Sequence, residues 1–228
     1  MSKELHKKLR GPRVGNRKRR FLTYTEIQKV FEFLQQLSAE SRFARTEQDR
    51  FYVAYVLGQF LFTHGLRISE ALSLQWNDIK WYGEHCIAYF IGKGGVEAEQ
   101  KILSSSLEVV REMNRRIRRR EPVEDDYLFP APEPRCNVRS KGVGRRMTPE
   151  DALVLFREAQ NEVNKTHLLE WTLSNLSTHH FRHSLGQYLS REKKLPVQTI
   201  AKVLRHKDVN ITAQTYCEPE AYAPEDYL

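Results

Sequence analysis

The stretch at residues 178–216 reads THHFRHSLGQYLSREKKLPVQTIAKVLRHKDVNITAQTY, and it decides the fold and the chemistry expected of this chain. His179 and Arg182 lie three residues apart, so a helix here projects both side chains from one face. His206 and then Tyr216 follow in the second half of the stretch. An arginine, two histidines and a tyrosine that converge indicate a phosphate-handling site with a nucleophile. Such a site also needs a second arginine and a proton donor from elsewhere in the chain.

The residues that precede this stretch predict a mainly helical protein. Thr23 and Glu26 have the T-x-x-E spacing of a capping box before apolar residues at helical spacing. Residues 38–48 are polar and predict a loop, whereas residues 51–63 are apolar nearly all round and predict a buried helix. We expect further amphipathic helices at residues 104–120 and 148–165, joined by a long surface loop at residues 121–147.

Residues 77–103 are the exception to the helical pattern. Strand-like residues lie on both sides of the sequence Gly92-Lys93-Gly94-Gly95, which is typical of a tight turn. This pattern predicts a β-hairpin with Lys93 at its tip. The expected fold class is therefore mainly α (α+β), with a small antiparallel sheet.

The composition excludes several classes of protein. The chain has 228 residues and is 40% hydrophobic, which is enough for one domain with a real core. We find no apolar run long enough for a membrane span and no signal-peptide core, so we expect a cytoplasmic protein with no membrane contact. The three cysteines are scattered without a CxxC pair, which disfavours a disulfide framework or a zinc site.

The positive charge is concentrated at one end of the chain. Nine of the 37 Lys and Arg residues and one of the 29 acidic residues lie in residues 1–20, which leaves 28 of each in the remainder. We therefore interpret residues 1–20 as a flexible basic arm that seeks phosphate, and residues 21–228 as the folded domain. Residues 217–228 form a short acidic tail to that domain.

A second arginine occurs in His64-Gly65-Leu66-Arg67-Ile68-Ser69-Glu70-Ala71-Leu72, at the junction between two predicted helices. Gly65 is a plausible helix terminator, so Arg67 projects from a rigid turn. Glu70 lies three residues later, where its carboxylate can hold the guanidinium.

Together these motifs resemble the catalytic domain of the tyrosine site-specific recombinases, a family that includes phage integrases, Xer resolvases and fimbrial-switch invertases. The resemblance covers about residues 21–220, and its most specific parts are GLRISEAL at Arg67 and HxxRH at residues 179–183. GKGG at Lys93 and LxH at residues 204–206, followed by Tyr216, complete it. The resemblance implies a helical catalytic domain that cleaves and rejoins DNA without metal, ATP or another cofactor.

The resemblance also implies a role for each candidate residue. Tyr216 would attack a DNA phosphodiester to give a 3′-phosphotyrosyl link, and Lys93 would protonate the departing 5′-oxygen. Arg67 and Arg182 would clamp the phosphate oxygens, because guanidinium groups match phosphate bidentately. His179 and His206 would hydrogen-bond the phosphate and help to move the tyrosine proton. Glu70 and His183 would contact and orient these catalytic side chains.

Two of these assignments have rivals within the sequence. His183 competes with His179, and the HxxR spacing favours His179, so we expect His179→Ala to be more damaging than His183→Ala. Tyr222 and Tyr227 compete with Tyr216 as nucleophile. Their acidic surroundings would repel a phosphate, which favours Tyr216.

Two groups of basic residues are predicted to contact DNA phosphates. The first is the end of the arm, and the second is the end of the helix predicted at residues 104–120, where five arginines within six residues exceed what the helix dipole requires. The predicted contacts are Arg17, Lys18, Arg19, Arg20, Arg115, Arg116, Arg118 and Arg119.

The expected partners are duplex DNA with short inverted-repeat sites and further copies of the chain, four of which would assemble on two sites. Most members of the family place a helical DNA-binding domain of about a hundred residues before the catalytic domain. Only residues 1–20 precede it here, so the chain is either a catalytic fragment or a naturally short recombinase. The alternatives in function are an enzyme that relaxes supercoils, like a type IB topoisomerase, and a DNA-binding regulator without catalysis.

Overall fold

The computed structural model of the chain describes residues 22–83, 85–92, 94–133, 144–169, 172–173, 176–206 and 208–216. Within these residues, eight α-helices accompany one three-stranded antiparallel sheet, which confirms the predicted fold class. The helices are α1 (Tyr24–Leu37), α2 (Arg45–His64), α3 (Ile68–Ser73), α4 (Ser104–Arg118), α5 (Pro149–Lys165), α6 (Thr178–Gln187), α7 (Val197–Val203) and α8 (Val209–Tyr216). A π-helical turn, Tyr188–Glu192, directly follows α6. The arm, the acidic tail and Lys93 lie outside the described residues.

Helix α2 is the central element, and it packs against α1, α4, α5 and α6. Its side chains are buried on all sides, as the all-round apolar sequence predicts. A Cβ at Gly58 would lie 2.9 Å from the ring of Phe181, so the glycine lets α6 approach α2 closely. Phe181 also stacks on Phe31 of α1, with ring centroids 6.0 Å apart. These contacts fix the position of α6 against α2.

No helix in the described ranges is long and apolar enough to cross a membrane.

The helix starts follow from local side-chain chemistry. The Thr23 N–H donates to Glu26 Oε2 at 2.9 Å and the Glu26 N–H donates to Thr23 Oγ1 at 3.2 Å, which confirms the predicted capping box. Helix α5 begins at Pro149, with Thr148 of the predicted range 148–165 as its N-cap. Helix α2 begins at Arg45, where a loop was expected, because its polar first turn is capped by Glu47, which accepts the Ala44 N–H.

The sheet consists of β1 (Ile79–Tyr82), β2 (His85–Ile91) and β3 (Glu97–Leu103) in that order, with both pairs antiparallel. The hairpin between β2 and β3 closes through the Gly92 N–H, which donates to the Val96 carbonyl at 2.7 Å. The sequence directly before Gly92 is strand-like throughout, so its pattern does not show that β1 and β2 are two strands joined by a turn. The turn between them contains Gly83 at φ 60°, a left-handed conformation that glycine adopts without strain.

Part of the region predicted as a surface loop is buried. Leu128 and Phe129 are inaccessible to solvent, and the Leu128 N–H donates to the Leu74 carbonyl at 2.8 Å. The buried amide of Asn114 donates to the Leu128 carbonyl at 2.7 Å. The surface-loop prediction is therefore wrong for this part, because two apolar side chains and backbone hydrogen bonds anchor it to the core.

His64, the last residue of α2, is a buried histidine beside the predicted active-site turn. Its ring lies 4.7 Å from that of Phe60, and its Nε2 makes no hydrogen bond to any residue that the structure describes. Burial lowers the pKa of His64 to about 4, so the ring is neutral at pH 7. Folding therefore disfavours its protonation.

We expect the stability of the protein to fall between pH 7 and pH 5 partly because of His64. In this range the unfolded chain binds a proton at His64 and the folded chain does not, so acid favours unfolding. With pKa values of 6.5 unfolded and about 4 folded, this group alone contributes a loss of about 2 kcal/mol at pH 5. Urea unfolding at both pH values should show a smaller loss in His64→Leu. His85→Gln, at an exposed histidine of β2, is the control and should retain the full loss.

Candidate active site

Arg182 is a buried cation that joins two separate segments of the chain. Its side chain donates from Nη1 to the carbonyl of Gly65, after α2, and from Nη2 to the carbonyl of Leu204, after α7. Carbonyls at helix C-termini lack partners within the helix and carry partial negative charge, so they suit a buried guanidinium. Because Arg67 follows Gly65 by two residues and His206 follows Leu204 by two, Arg182 brings both to one place.

Arg67, the N-cap of α3, forms a pair with Glu70 in the first turn of that helix. Arg67 Nη1 donates to Glu70 Oε1 and the Arg67 N–H donates to Glu70 Oε2, both at 2.8 Å. The Glu70 side chain is 2% exposed and that of Arg67 is 27% exposed. Glu70 therefore holds Arg67 as predicted, while the guanidinium keeps a face open to solvent.

Arg205 is a third arginine of the site, and the sequence pattern did not identify it. It donates from Nη2 to Glu70 Oε2 and from Nη1 to Gln100 Oε1 of β3, and it lies 5.0 Å from the ring centroid of Phe90. Its backbone has φ 48°, a left-handed conformation that is uncommon for a residue with a side chain. Arg205 thus connects the hairpin to the Arg67 turn through the shared carboxylate.

The three arginines raise the positive charge of the site beyond what Glu70 balances. Burial, followed by repulsion from Arg67 and Arg205, lowers the pKa of Arg182 to about 10. Burial and repulsion from Arg67 also lower the pKa of Arg205, against the attraction of Glu70. Arginine side chains carry a positive charge at neutral pH, so the site attracts an anion.

Tyr216 lies in a recess on α6 and the π-helical turn. Its hydroxyl is 2.7 Å from His183 Nδ1, and its carbonyl accepts a hydrogen bond from Ser190 Oγ at 3.0 Å. A Cβ at Gly186 would lie 2.5 Å from the tyrosine ring, so this glycine provides the space for the ring. Tyr216 is only 2% exposed, and burial raises its pKa to about 12, partly offset by the charge of Arg182.

The histidines differ in their relation to Tyr216. His206 Nδ1 is 2.8 Å from Thr212 Oγ1, and its ring lies parallel to that of Tyr216 with centroids 6.4 Å apart. Burial, with repulsion from Arg182 and Arg67, lowers the pKa of His206 to about 4, so it is neutral at pH 7. His179 is exposed on α6, and its ring lies 6.3 Å from that of His183. The hydroxyl of Tyr216 therefore contacts His183, the candidate that the sequence ranked second.

The sequence profile of the phage integrase family matches residues 20–221, nearly the whole of the chain. The chain belongs to the phage integrase family. Comparison with curated proteins finds no significant match.

Solved structures of site-specific recombinases have the same fold as this phage integrase family member. The XerH recombinase in a pre-cleavage complex with its difH substrate matches with a TM-score of 0.64 at 20% identity over 91% of this chain and 53% of XerH. The XerA recombinase matches with a TM-score of 0.59 at 16% identity, over 93% of this chain and 65% of XerA. The Tn1549 transposon integrase, in complex with circular intermediate DNA, matches with a TM-score of 0.56 at 19% identity, over 91% of this chain and 62% of the integrase chain. The chain thus spans less than two thirds of each of these proteins.

A surface cleft of about 550 Å³ opens beside Arg67 in this integrase-family fold. Ser69 and Ser73 of α3, Gly92 of the hairpin and Arg146 line it together with Arg67. A phosphate can therefore reach Arg67 from solvent. Tyr216 and Arg182 are buried and do not line this cleft.

Of the arginines at the end of α4, which the sequence predicts to contact DNA, three form ion pairs with carboxylates of the protein. Arg115 pairs with Glu121, Arg116 Nε donates to Asp49 at 2.6 Å, and Arg118 lies 2.9 Å from Asp126. Arg119 ends the helix at φ 58°. Asp49 is near the start of α2, about 24 Å along that helix from the Arg182 contact at its other end. The ion pairs give three of these arginines a role in the fold, and their contact with DNA stays a prediction.

We expect Glu70→Gln to destabilise the protein by roughly 3 kcal/mol, because it leaves Arg67, Arg182 and Arg205 without a buried counter-charge. Adding Arg205→Gln should recover part of this loss, since it removes one of the repelling cations. Urea unfolding of the two single variants and the double variant measures this coupling.

Glu158→Gln is the matched control, because Glu158 of α5 accepts from Arg50 at 2.8 Å and 2.9 Å in a pair remote from the site. It should destabilise the protein, but Arg205→Gln should not compensate for it. Strictly additive losses for Glu70→Gln and Arg205→Gln would contradict the shared role of the carboxylate.

Proposed function

We propose that this chain is a site-specific DNA recombinase that cleaves and rejoins strands through a 3′-phosphotyrosyl intermediate and a Holliday junction. The observation that carries the proposal is the convergence of Arg67, Arg182, His206 and Tyr216 from separate segments. Three nearby arginines and one carboxylate leave a local excess of positive charge, which suits an anionic substrate. Membership of the phage integrase family supports the same reaction.

In the proposed reaction, Tyr216 Oη attacks the phosphorus atom of a phosphodiester and the bond to the 5′-oxygen breaks. Arg67 and Arg182 bind the non-bridging oxygens and stabilise the charge that increases on them in the transition state. His206 is neutral at pH 7 and assists as a hydrogen-bond partner of the phosphate. Glu70 keeps Arg67 oriented. Arg205, which also donates to Glu70, holds the hairpin next to Arg67.

The departing 5′-oxygen needs a proton, and we assign this role to Lys93. The neighbouring residue Gly92 supports it: a Cβ at this position would lie 3.9 Å from Glu70 Oε1, so the tip of the hairpin starts next to the site. The exposed His179 is assigned to the phosphate, as the family resemblance implies. The phosphotyrosyl link conserves the energy of the phosphodiester, so a 5′-hydroxyl can reverse the reaction without a cofactor.

We further propose that the partner is duplex DNA with short inverted-repeat sites and that four copies of the chain act on two sites in the cytoplasm. Inverted repeats match the two-fold symmetry of a pair of identical protomers. The basic arm at residues 1–20, with Arg17, Lys18, Arg19 and Arg20 at its end, would add phosphate contacts that do not depend on DNA sequence.

The proposal predicts a covalent protein–DNA adduct. Duplexes selected for tight binding from a randomised pool are nicked near the centre, so that the cleaved strand cannot rejoin, and the products are resolved on denaturing gels. The wild-type protein should become joined to the 3′ end that the cut creates and release a fragment with a free 5′-hydroxyl, whereas Tyr216→Phe should form no adduct, because it lacks the attacking oxygen.

Tyr222→Phe and Tyr227→Phe are the matched controls and should form the adduct normally. An adduct that survives Tyr216→Phe would refute the nucleophile assignment. Tight binding with no adduct in the wild type would favour a regulator, and relaxation of supercoils without strand exchange would favour a topoisomerase.

Deletion of residues 1–20 should reduce the salt dependence of DNA binding. The slope of log K against log[salt] changes by about 0.9 for each phosphate that the protein no longer neutralises. Fluorescence anisotropy between 50 and 200 mM salt, chosen as a typical range, measures this slope. The parallel variant Arg115→Gln/Arg119→Gln tests the second group of basic residues predicted to bind DNA. An unchanged slope after deletion would exclude the arm from DNA binding.

A further inference from the structure

One stripe of α6 and the π-helical turn holds the nucleophile at three points. His183 contacts the hydroxyl, Gly186 makes room for the ring, and Ser190 donates to the carbonyl of Tyr216. The spacing of three and then four residues places all three on one side of the helical segment. The position of the hydroxyl relative to His183 is thus determined by a rigid element that also carries Arg182.

His183 has the geometry of a proton acceptor. The 2.7 Å separation joins its Nδ1 to the hydroxyl oxygen, which is within the range required for a general base. His206 Nδ1 is instead next to Thr212 Oγ1, and His179 is exposed on the preceding turn of α6. Arg182 directly precedes His183, so one helix presents both a phosphate clamp and the residue that touches the attacking oxygen.

We propose that His183, in its neutral form with the proton on Nε2, is the general base that accepts the Tyr216 proton at Nδ1. This inference rests on the proposed function. During attack, the O–H bond breaks as the oxygen–phosphorus bond forms, and the proton moves to Nδ1 to give an imidazolium. The 5′-oxygen leaves with its electron pair and takes a proton from Lys93. When the strand rejoins, the imidazolium returns its proton to the tyrosine oxygen.

The groups around the pair allow the acid limb of a pH profile to be assigned. His179 and Arg182 of α6 and His206, which precedes α8, are the charged or titratable groups that the described contacts place near His183 or Tyr216. Arg182 does not titrate near neutrality, and the pKa of His206 is lowered to about 4. These two groups therefore do not account for a loss of rate just below neutral pH, and the His183 and His179 variants assign any such loss.

The test is single-turnover cleavage of the nicked duplex at several pH values by His183→Asn and His179→Gln. Asparagine places its Oδ1 where His183 has Nδ1, so it accepts the hydrogen bond but does not take the proton. We expect His183→Asn to lose at least about 100-fold in rate and to lose the acid limb. His179→Gln should be slower than wild type but retain the limb. This reverses the ranking that the HxxR spacing gave.

A second substrate separates the two proton transfers. A scissile phosphate with sulfur in place of the 5′-bridging oxygen has a leaving group that needs no protonation, so it should restore the rate of Lys93→Ala. The sulfur substrate should not restore the rate of His183→Asn, because this variant is defective in removing the proton from Tyr216. His183→Gln, measured in parallel and checked by its unfolding midpoint, covers the case in which the asparagine variant does not fold.

Three results would overturn the assignment: an acid limb that persists in His183→Asn, an acid limb that is lost in His179→Gln, or recovery of His183→Asn on the sulfur substrate. In all three the wild type still forms an adduct, so the proposed function stands and only the base assignment fails. Absence of an adduct with the wild type would refute the proposed function and this inference together.

Discussion

The site depends on the guanidinium of Arg182 between two helix ends. A buried charge is costly unless it is hydrogen-bonded, and the carbonyls of Gly65 and Leu204 supply acceptors that their own helices leave unpaired. The contact is reciprocal, since the same bonds fix the turns that carry Arg67 and His206. Removing this one side chain would release the two turns from each other, so the geometry of the site and the packing of α6 are not separable.

Glu70 determines how much of this positive charge is available to a ligand. One buried carboxylate serves Arg67 and Arg205, while Arg182 donates to the backbone carbonyls of Gly65 and Leu204. Burial, followed by repulsion from neighbouring arginines, lowers the pKa values of Arg182 and Arg205, and a bound phosphate would relieve that repulsion. The protein thus holds like charges together in the absence of substrate, and their mutual repulsion favours anion binding.

The sequence predicted what is local or belongs to a motif, and it missed what arises from tertiary contact. The capping box at Thr23, the start of α5 at Pro149 and the turn at Gly92 depend on neighbours in the chain, and each was predicted correctly. Arg205 was not recognised, because its partners Glu70 and Gln100 are remote in sequence. The cluster of arginines at the end of α4 was interpreted from its charge, whereas the partners of Arg116 and Arg118 lie elsewhere in the fold. Gly186 carried a weak signal, since a glycine inside a helical pattern often marks close packing.

The burial of Tyr216 has two opposite effects on the proposed chemistry. It raises the pKa to about 12, which makes ionisation roughly 3 kcal/mol more costly than in water. At pH 7 only about one molecule in 100,000 would carry the phenolate, so the proton has to leave during attack, to an acceptor already in contact. The same burial keeps bulk water from the tyrosine hydroxyl in the free protein, so the hydroxyl stays in contact with His183. A recess that disfavours the free phenolate and contains its own acceptor meets both requirements.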